Sequence, residues 1–416
     1  MDGARGAIVA AAIATPGSDV PRRGADLAAI ERPGAVGVAW RDGVVTFVGP
    51  ADDLPGDVGE PAGSPDRGTL VPGFVDCHTH LPFVGWRADE FEARLAGRSY
   101  ADLHGEEGGI FRSARMLAES GDDEVLAFSE RLASDMLATG TTTIELKTGY
   151  GLSVDGELRQ ARLARALAGR VRQTCRVTLL ACHAVPRGVE RSAWVTAVCD
   201  DLIPAAAGED LVDQVDVYVE RIAFDLDDLT RVAGAAAAAG LPLRVHADQL
   251  TDVGATSTAV RLGARSVDHL NHCNVEGVAA LANAGSTAAV LLPASTFFLR
   301  GAAPPVAALR DAEVPIAIAT DLNPGTSPVA SMPEAIAIAC AAYGLTPLDA
   351  LTAATRNAAW VLGVDRGTLA VGSPADLLLL DVPSFAHVPY RPGRNPVAAT
   401  IVGGELTVGD PSAVVG

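Results

Sequence analysis

Histidine can both move protons and ligate transition metals near neutral pH, and it occurs only eight times in these 416 residues. Five of the eight close apolar runs. His78-Thr79-His80 ends the run from Leu70, His183 ends the run from Arg176, and His246 and His269 stand at the ends of runs that start at Leu243 and Ser266. A further run, Pro315 to Asp321, closes on an aspartate. His78 and His80 are two apart, so in a strand both imidazoles face the same way and can share one cation. Alone, such a pair is weak evidence and reads more readily as two ordinary histidines. With His246 and Asp321 at corresponding ends, the set becomes three imidazoles and one carboxylate, which suits one divalent ion. Zinc or iron is expected, manganese being compatible, because nitrogen and oxygen donors discriminate poorly among these metals. An open coordination position would lower the pKa of a bound water to about 7, which is the chemistry of hydrolysis.

These residues need a frame that brings distant run ends together. Eight compact β-like runs occur: Leu70 to His80, Thr141 to Lys147, Arg176 to His183, Val215 to Glu220, Leu243 to Asp248, Ser266 to Leu270, Ala288 to Pro293 and Pro315 to Asp321. Helical text separates most of them, as in Val125 to Thr139, Glu157 to Ala168, and Val232 to Ala239 before Gly240. The alternation predicts an α/β fold, a (β/α)8 TIM-like barrel, whose active site lies at the C-terminal ends of its strands. An open doubly wound sheet is the runner-up, but the chain has no glycine-rich phosphate fingerprint. Before the barrel, Val36 to Trp40 and Val44 to Val48 flank Arg41-Asp42-Gly43 and read as a hairpin. Similar β text returns in Ala375 to Leu380 and Ala398 to Val402. The expected division is therefore a small β domain from residues 1–69 plus 368–416, and a barrel over 70–367.

Composition narrows the partners. Thirty-two Lys and Arg stand against 51 Asp and Glu, a net charge of −19, which argues against nucleic acid or an anionic membrane. Hydrophobic residues make up 49%, so the chain is expected to fold around a well-buried core rather than to be disordered. No apolar run reaches the roughly 18 residues of a membrane span. Ala7 to Ala14 could be a short signal-peptide core, but its charged flank is only Arg5, and a strand is the better reading. Six scattered cysteines without CxxC pairs suggest reduced thiols and a cytoplasmic protein.

The segments Val71-Pro-Gly-Phe-Val-Asp-Cys-His-Thr-His80, Ala319-Thr-Asp-Leu-Asn-Pro-Gly-Thr326 and Gly372-Ser-Pro-Ala-Asp376 resemble the amidohydrolase superfamily. Asp89-Glu-Phe-Glu-Ala-Arg-Leu95, Glu145-Leu-Lys-Thr-Gly-Tyr-Gly-Leu152, Ala181-Cys-His-Ala-Val-Pro186 and His246-Ala-Asp-Gln-Leu250 are similar to its imidazolonepropionase branch. The resemblance covers about residues 67 to 405. It implies a metal-dependent hydrolase that opens 4-imidazolone-5-propanoate to N-formimidoyl-L-glutamate, in histidine degradation. It also implies that His78, His80, His246 and Asp321 ligate the metal, and that Arg87, Tyr150, His183, Asn323, Gly325 and Thr326 surround the substrate. Arg87 suits the propanoate, since a guanidinium matches a carboxylate bidentately. Tyr100 is a further candidate hydroxyl. His269, expected to titrate near neutrality, would transfer protons beside Asp321. His104 and His387 read as structural, and His272 has no role to inherit.

Three positions depart from the branch. Gln249 stands where many relatives carry glutamate, and an amide can orient a ring or a water but cannot exchange protons. Asn271-His272-Cys273 replaces a more usual Glu-Tyr-Leu, and Glu107 stands where a glycine triplet would begin. These changes bear on substrate choice rather than on metal binding. Two other functions compete: a related amidohydrolase or deaminase acting on another heterocycle, and a non-catalytic barrel that binds a small molecule. Arg87, Tyr150 and His183 favour an anionic substrate over a neutral base, and the complete ligand set disfavours the non-catalytic reading. The partner expected is thus a small anionic heterocycle. The resemblance also implies a homodimer.

Overall fold

The computed structural model describes residues 5–98 and 108–415. Tyr100, His104 and Glu107 lie outside the described residues. The chain begins with β1 (Arg5–Thr15), β2 (Ile30–Arg41), β3 (Val44–Pro50), the short β4 (Ala62–Gly63) and β5 (Thr69–Pro72). The barrel strands follow: β6 (Phe74–Asp76), β7 (Thr141–Lys147), β8 (Thr174–Cys182), β9 (Gln214–Val219), β10 (Leu243–Ala247), β11 (Ser266–His269), β12 (Ala288–Leu291) and β13 (Ile316–Ile318). β14 (Leu377–Leu380), β15 (Val397–Val402) and β16 (Glu405–Gly409) end the series.

Strands β6 to β13 form one parallel sheet in sequence order, the arrangement expected of a barrel. Its closure lies just past the formal ends of the first and last strands, where Thr79 bridges Leu322 in parallel. Asp321 donates its amide to the His78 carbonyl at 3.0 Å, and His80 donates to the Leu322 carbonyl at 2.9 Å. The bonds that close the barrel therefore set three proposed ligands side by side.

The other strands make a separate sheet in the order β16-β15-β14-β5-β1-β2-β3, with β4 against β1. The hairpin expected around Asp42-Gly43 is present as β2 and β3, and both turn residues have positive φ, 53° and 75°, as a two-residue hairpin loop requires. The uninterrupted Leu377–Leu380 run is explained by its position: Leu377 and Leu379 pack into the core of the small sheet, and Leu378 and Leu380 into the core of the barrel.

One expected strand is really two. The run Leu70 to His80 splits at Gly73: β5 pairs with β1 and β14 in the terminal sheet, while β6 enters the barrel. Gly73 donates to the Asp376 carbonyl on one side, and Phe74 donates to the Gly140 carbonyl on the other. Periodicity could not reveal the split, because both halves are fully buried and read as one apolar run. The helix expected from Val232 starts earlier, at Leu226, because Asp225 and Asp228 form a reciprocal capping box there.

Candidate active site

The five run-ending histidines and Asp321 converge at the C-terminal mouth of the barrel. Ring centroids are 5.3 Å apart for His78 and His80, 4.4 Å for His78 and His246, 5.0 Å for His80 and His183, and 5.3 Å for His246 and His269. Backbone strain accompanies the convergence. Asp248, His269, Leu270 and Asp321, all at barrel strand ends, have φ between 50° and 78°, a region that non-glycine residues enter only where the surrounding structure holds them.

His78, His80 and His246 each offer a ring nitrogen, and these atoms lie within 4.8 Å of one another. Asp321 stands at the edge of this group, its Oδ1 3.2 Å from His80 Nε2 and 3.6 Å from His78 Nε2. Two of the imidazoles are oriented from behind. His78 Nδ1 lies 2.6 Å from Asp268 Oδ2, and His246 Nδ1 lies 3.0 Å from Asp216 Oδ2. A carboxylate accepts, so His78 Nδ1 carries the proton and its Nε2 keeps its lone pair, while His246 Nδ1 faces Asp216 at ion-pair distance without a hydrogen bond of good geometry. His78 Nε2, His246 Nε2 and Asp321 Oδ1 are buried without a hydrogen-bond partner among the described residues. Orphaned acceptors in a buried cluster are costly, and one cation would satisfy all three.

Charge supports the same fit. Asp216, Asp268 and Asp321, together with Glu145, form the carboxylate side of this buried region, while Lys147 and Arg244 form the cationic side. With these six ionised, two negative charges remain, which one divalent ion balances; Asp76, buried beside His78, is pushed up to about 7 by burial and adds only part of a further charge. Burial, aided by neighbouring cationic groups, pushes His78 and His80 well below the usual imidazole range, leaving them in the neutral form that metal ligation needs. Burial tends to raise Asp216, but His246, Lys147 and Arg244 outweigh it and hold this carboxyl well below its ordinary range.

His269 differs from the sequence expectation. Burial takes its imidazole down to about 3, partly opposed by Asp321, so it is a neutral base throughout the physiological range rather than a group titrating near 7. Asp321 moves the other way, raised chiefly by burial. Sequence could not show this, because the shift follows from how completely the strand ends are covered.

The cavity above the histidines has about 390 Å³ of empty space, counting its mouth, and is lined by His80, Arg87, Tyr150, His183, His246, Gln249, His269, Asp321, Asn323 and Thr326, together with Ile110 and Tyr218. Several of the expected residues are positioned by identifiable contacts. The loop carrying Tyr150 is clamped from the first turns of the helix Val154–Ala168: Glu157 accepts from the amides of Gly149, Gly151 and Leu152, and Gln160 accepts from that of Tyr150. His183 Nδ1 donates to the Gly149 carbonyl at 3.1 Å, which leaves its Nε2 as an acceptor. Arg87 donates its amide to the Pro324 carbonyl, and its side chain is buried with Nε and Nη1 lacking hydrogen-bond partners among the described residues. Glu90 Oε2, at 3.6 Å from Nε, forms an ion pair with it but is beyond hydrogen-bond range.

Asn323 spends its side chain on the loop itself, donating to the Asp321 carbonyl and accepting from the amides of Gly325 and Thr326 and the Thr326 hydroxyl. Gly325 lies behind Arg87 rather than in the cavity wall. Gln249 is half-buried at the mouth, and His272 is exposed. Asn271 donates to the Thr296 hydroxyl and the Ala302 carbonyl, bracing a neighbouring loop. Tyr218 and Ile110 were not singled out from the sequence. Tyr218 lies near the end of the fourth barrel run, in register with His246 on the next strand, a signal that strand-end position could have raised, whereas Ile110 carries none.

The family model described as the amidohydrolase family matches residues 69–407. An imidazolonepropionase of Paracoccus denitrificans (strain Pd 1222) is 42% identical over 369 residues, covering 88% of this chain and 92% of the relative. One from Rubrobacter xylanophilus is 41% identical over 404 residues, covering 95% and 96%. Among solved structures, a triazine hydrolase variant superposes with a TM-score of 0.74 at 15% identity, covering 99% of this chain and 96% of that one. N-isopropylammelide isopropylaminohydrolase from Burkholderia multivorans gives 0.71 at 20% identity, covering 98% and 99%. At such identities these two structures speak for the fold alone.

Proposed function

The chain belongs to the amidohydrolase family and, within it, to the imidazolonepropionases, and from this we propose how the residues at its barrel mouth divide the work. The reaction is hydrolysis of the ring C–N bond of 4-imidazolone-5-propanoate, which yields N-formimidoyl-L-glutamate. The observation that carries the assignment of roles is the buried guanidinium of Arg87, which meets Glu90 at 3.6 Å but whose Nε and Nη1 have no hydrogen-bond partner among the described residues. Buried N–H donors of a guanidinium that lack acceptors are a receptor for an anion.

The ligands are His78, His80 and His246 with Asp321, and the metal is zinc or iron; when bound, this ion supplies the Lewis acidity that makes water nucleophilic near neutral pH. Arg87 pairs with the propanoate and so fixes the ring's distance from the histidines. Tyr150 and His183 flank the ring, and the free Nε2 of His183 accepts a hydrogen bond from a ring N–H. Water attacks the ring carbonyl carbon, a C–O bond forms, and the proton it sheds passes to His269 or Asp321. The same proton is returned to the ring nitrogen as the C–N bond breaks. Gln249 holds ring or water without exchanging protons, so the acid–base work falls on His269 and Asp321. Asn323, Gly325 and Thr326 form the loop that supports Asp321 and Arg87.

The reading also includes a homodimer and a cytoplasmic setting; the six free cysteines support the latter. Its direct test is mass-spectrometric identification of the product made from freshly generated 4-imidazolone-5-propanoate. N-formimidoyl-L-glutamate is the expected product. Its absence from a reaction with metal-loaded protein would favour a related deaminase or amidohydrolase acting on a different heterocycle.

A further inference from the structure

Barrel interiors are usually filled with branched aliphatic side chains, yet this one contains a continuous polar chain across five neighbouring strands. From His78, Asp268 leads to Arg244, whose Nη2 donates to Asp268 Oδ2 at 2.7 Å. Ser266 ties the same pair together, accepting from Arg244 Nε at 2.8 Å and donating to Asp268 Oδ1 at 2.6 Å. Arg244 Nη1 reaches the Cys77 carbonyl at 2.7 Å and Glu145 Oε1 at 2.6 Å. Glu145 Oε1 is a hub, since it also accepts from Lys147 Nζ at 2.9 Å and from the Thr178 hydroxyl. Lys147 then donates to Asp216 Oδ2 at 2.7 Å, and Asp216 meets His246 Nδ1 and accepts from the His246 amide. Glu145, Lys147, Asp216, Arg244 and Asp268 are all fully buried.

Stability does not account for this arrangement, because well-packed apolar residues of similar volume commonly serve a core as well or better. What the chain does connect is two ligand imidazoles on strands that are not neighbours, His78 beyond β6 and His246 on β10. We propose that Lys147 and Arg244, joined through Glu145, are positioning residues that hold Asp216 and Asp268 against His246 and His78, so that both imidazoles are aimed at one divalent ion as a coupled unit. The inference rests on the metal-site reading above and adds the device that keeps its two halves in register. Either cation, removed alone, takes from one of the two aspartates its charged partner and also disturbs Glu145, which both share.

The test is the affinity of purified full-length protein for Zn²⁺, measured by chelator competition, together with the visible spectrum of the Co²⁺-loaded form, for wild type, Lys147→Met, Arg244→Met and the pair. Each single change is expected to weaken Zn²⁺ binding about 10- to 100-fold, the pair to cost less than the product of the two, and the Co²⁺ bands to shift. KM should stay near the wild-type value, and excess metal should restore kcat in the single variants. Arg244→Lys covers the case in which the methionine variants fail to fold: it keeps a cation near Asp268 but loses the fork to Glu145, and it should lie between wild type and Arg244→Met or, where that variant does not fold, below wild type. Folded variants, Arg244→Lys included, with unchanged Zn²⁺ affinity and unchanged Co²⁺ bands would overturn the proposal while leaving the metal site standing. A wild-type protein that binds neither ion would overturn both.

Discussion

The guanidinium of Arg87 lies directly against the Cα of Gly325: a Cβ at that position would sit 1.7 Å from Nη2 and 2.3 Å from Cζ. Nothing larger than glycine can occupy position 325 while Arg87 keeps its place. The loop that carries Asp321 therefore also fixes Arg87, the proposed anion receptor, through the Arg87 amide on Pro324 and the space left by Gly325. Gly325→Ala should consequently behave like Arg87→Ala. Charge-assisted hydrogen bonds contribute about 1.5–3 kcal/mol, so each change should raise KM by about tenfold to a hundredfold while bound metal stays at wild-type content. Steady-state kinetics with metal analysis checks this; an unchanged KM in Arg87→Ala would remove it as the propanoate receptor.

Gln249 faces the cavity from the mouth, where a carboxylate could share proton transfer. If the amide only positions ring or water, Gln249→Glu should change kcat by less than about threefold, since His269 and Asp321 already supply the bases. A rise of tenfold or more in single-turnover rate would show instead that the amide limits the chemistry.

His269 is a neutral base beside Asp321 and stands outside the three-imidazole cluster. His269→Ala should lower kcat by about 10²- to 10⁴-fold, the usual contribution of a general base, with metal content preserved. Loss of metal in this variant would make His269 a ligand or a support for one, and would contradict its assignment to proton transfer.

Four imidazoles, His78, His80, His183 and His269, have folded-state pKa values pushed below the ordinary 6.5 by burial. Once unfolded, they take up protons as pH drops below 6.5, while the folded chain still excludes them. The contribution of these rings should therefore hold above about pH 7 and fall between 6.5 and the depressed values, by about 1.4 kcal/mol per pH unit for each proton withheld. Asp76 offsets this in part, because burial raises it to about 7 and the folded chain takes up its proton first. Thermal melts of metal-free protein between pH 8 and 5 should show Tm falling with acidity. A Tm that rises with acidity across that window would mean that these rings are not kept neutral by the fold.

Much of the site was legible because its chemistry sits where strands end. His78, His80, His183, His246, His269 and Asp321 each closed an apolar run, and the parallel barrel then places such ends on one rim. The polar chain behind them left a subtler trace: Glu145, Lys147, Asp216, Arg244 and Asp268 are charged residues inside β-like runs, where burial without a partner would be prohibitive. Their pairing depends on register between strands far apart in sequence, which no single run encodes. The division of Leu70 to His80 at Gly73 was hidden for the same reason, since pairing partners and not composition decide which sheet a buried strand joins. The low titration of His269 depends on how completely it is enclosed, which is a property of the assembled mouth.

The central claim is that ring opening depends on one divalent ion held by His78, His80, His246 and Asp321. It is tested most directly by following the absorbance of 4-imidazolone-5-propanoate with protein stripped of metal and then titrated with Zn²⁺ or Fe²⁺, with bound metal measured in the same samples. The predicted result is no turnover in the stripped protein, recovery in proportion to bound metal up to one ion per chain, and neither binding nor recovery in Asp321→Ala. Full turnover by metal-free protein, or none at one bound ion per chain, would contradict it.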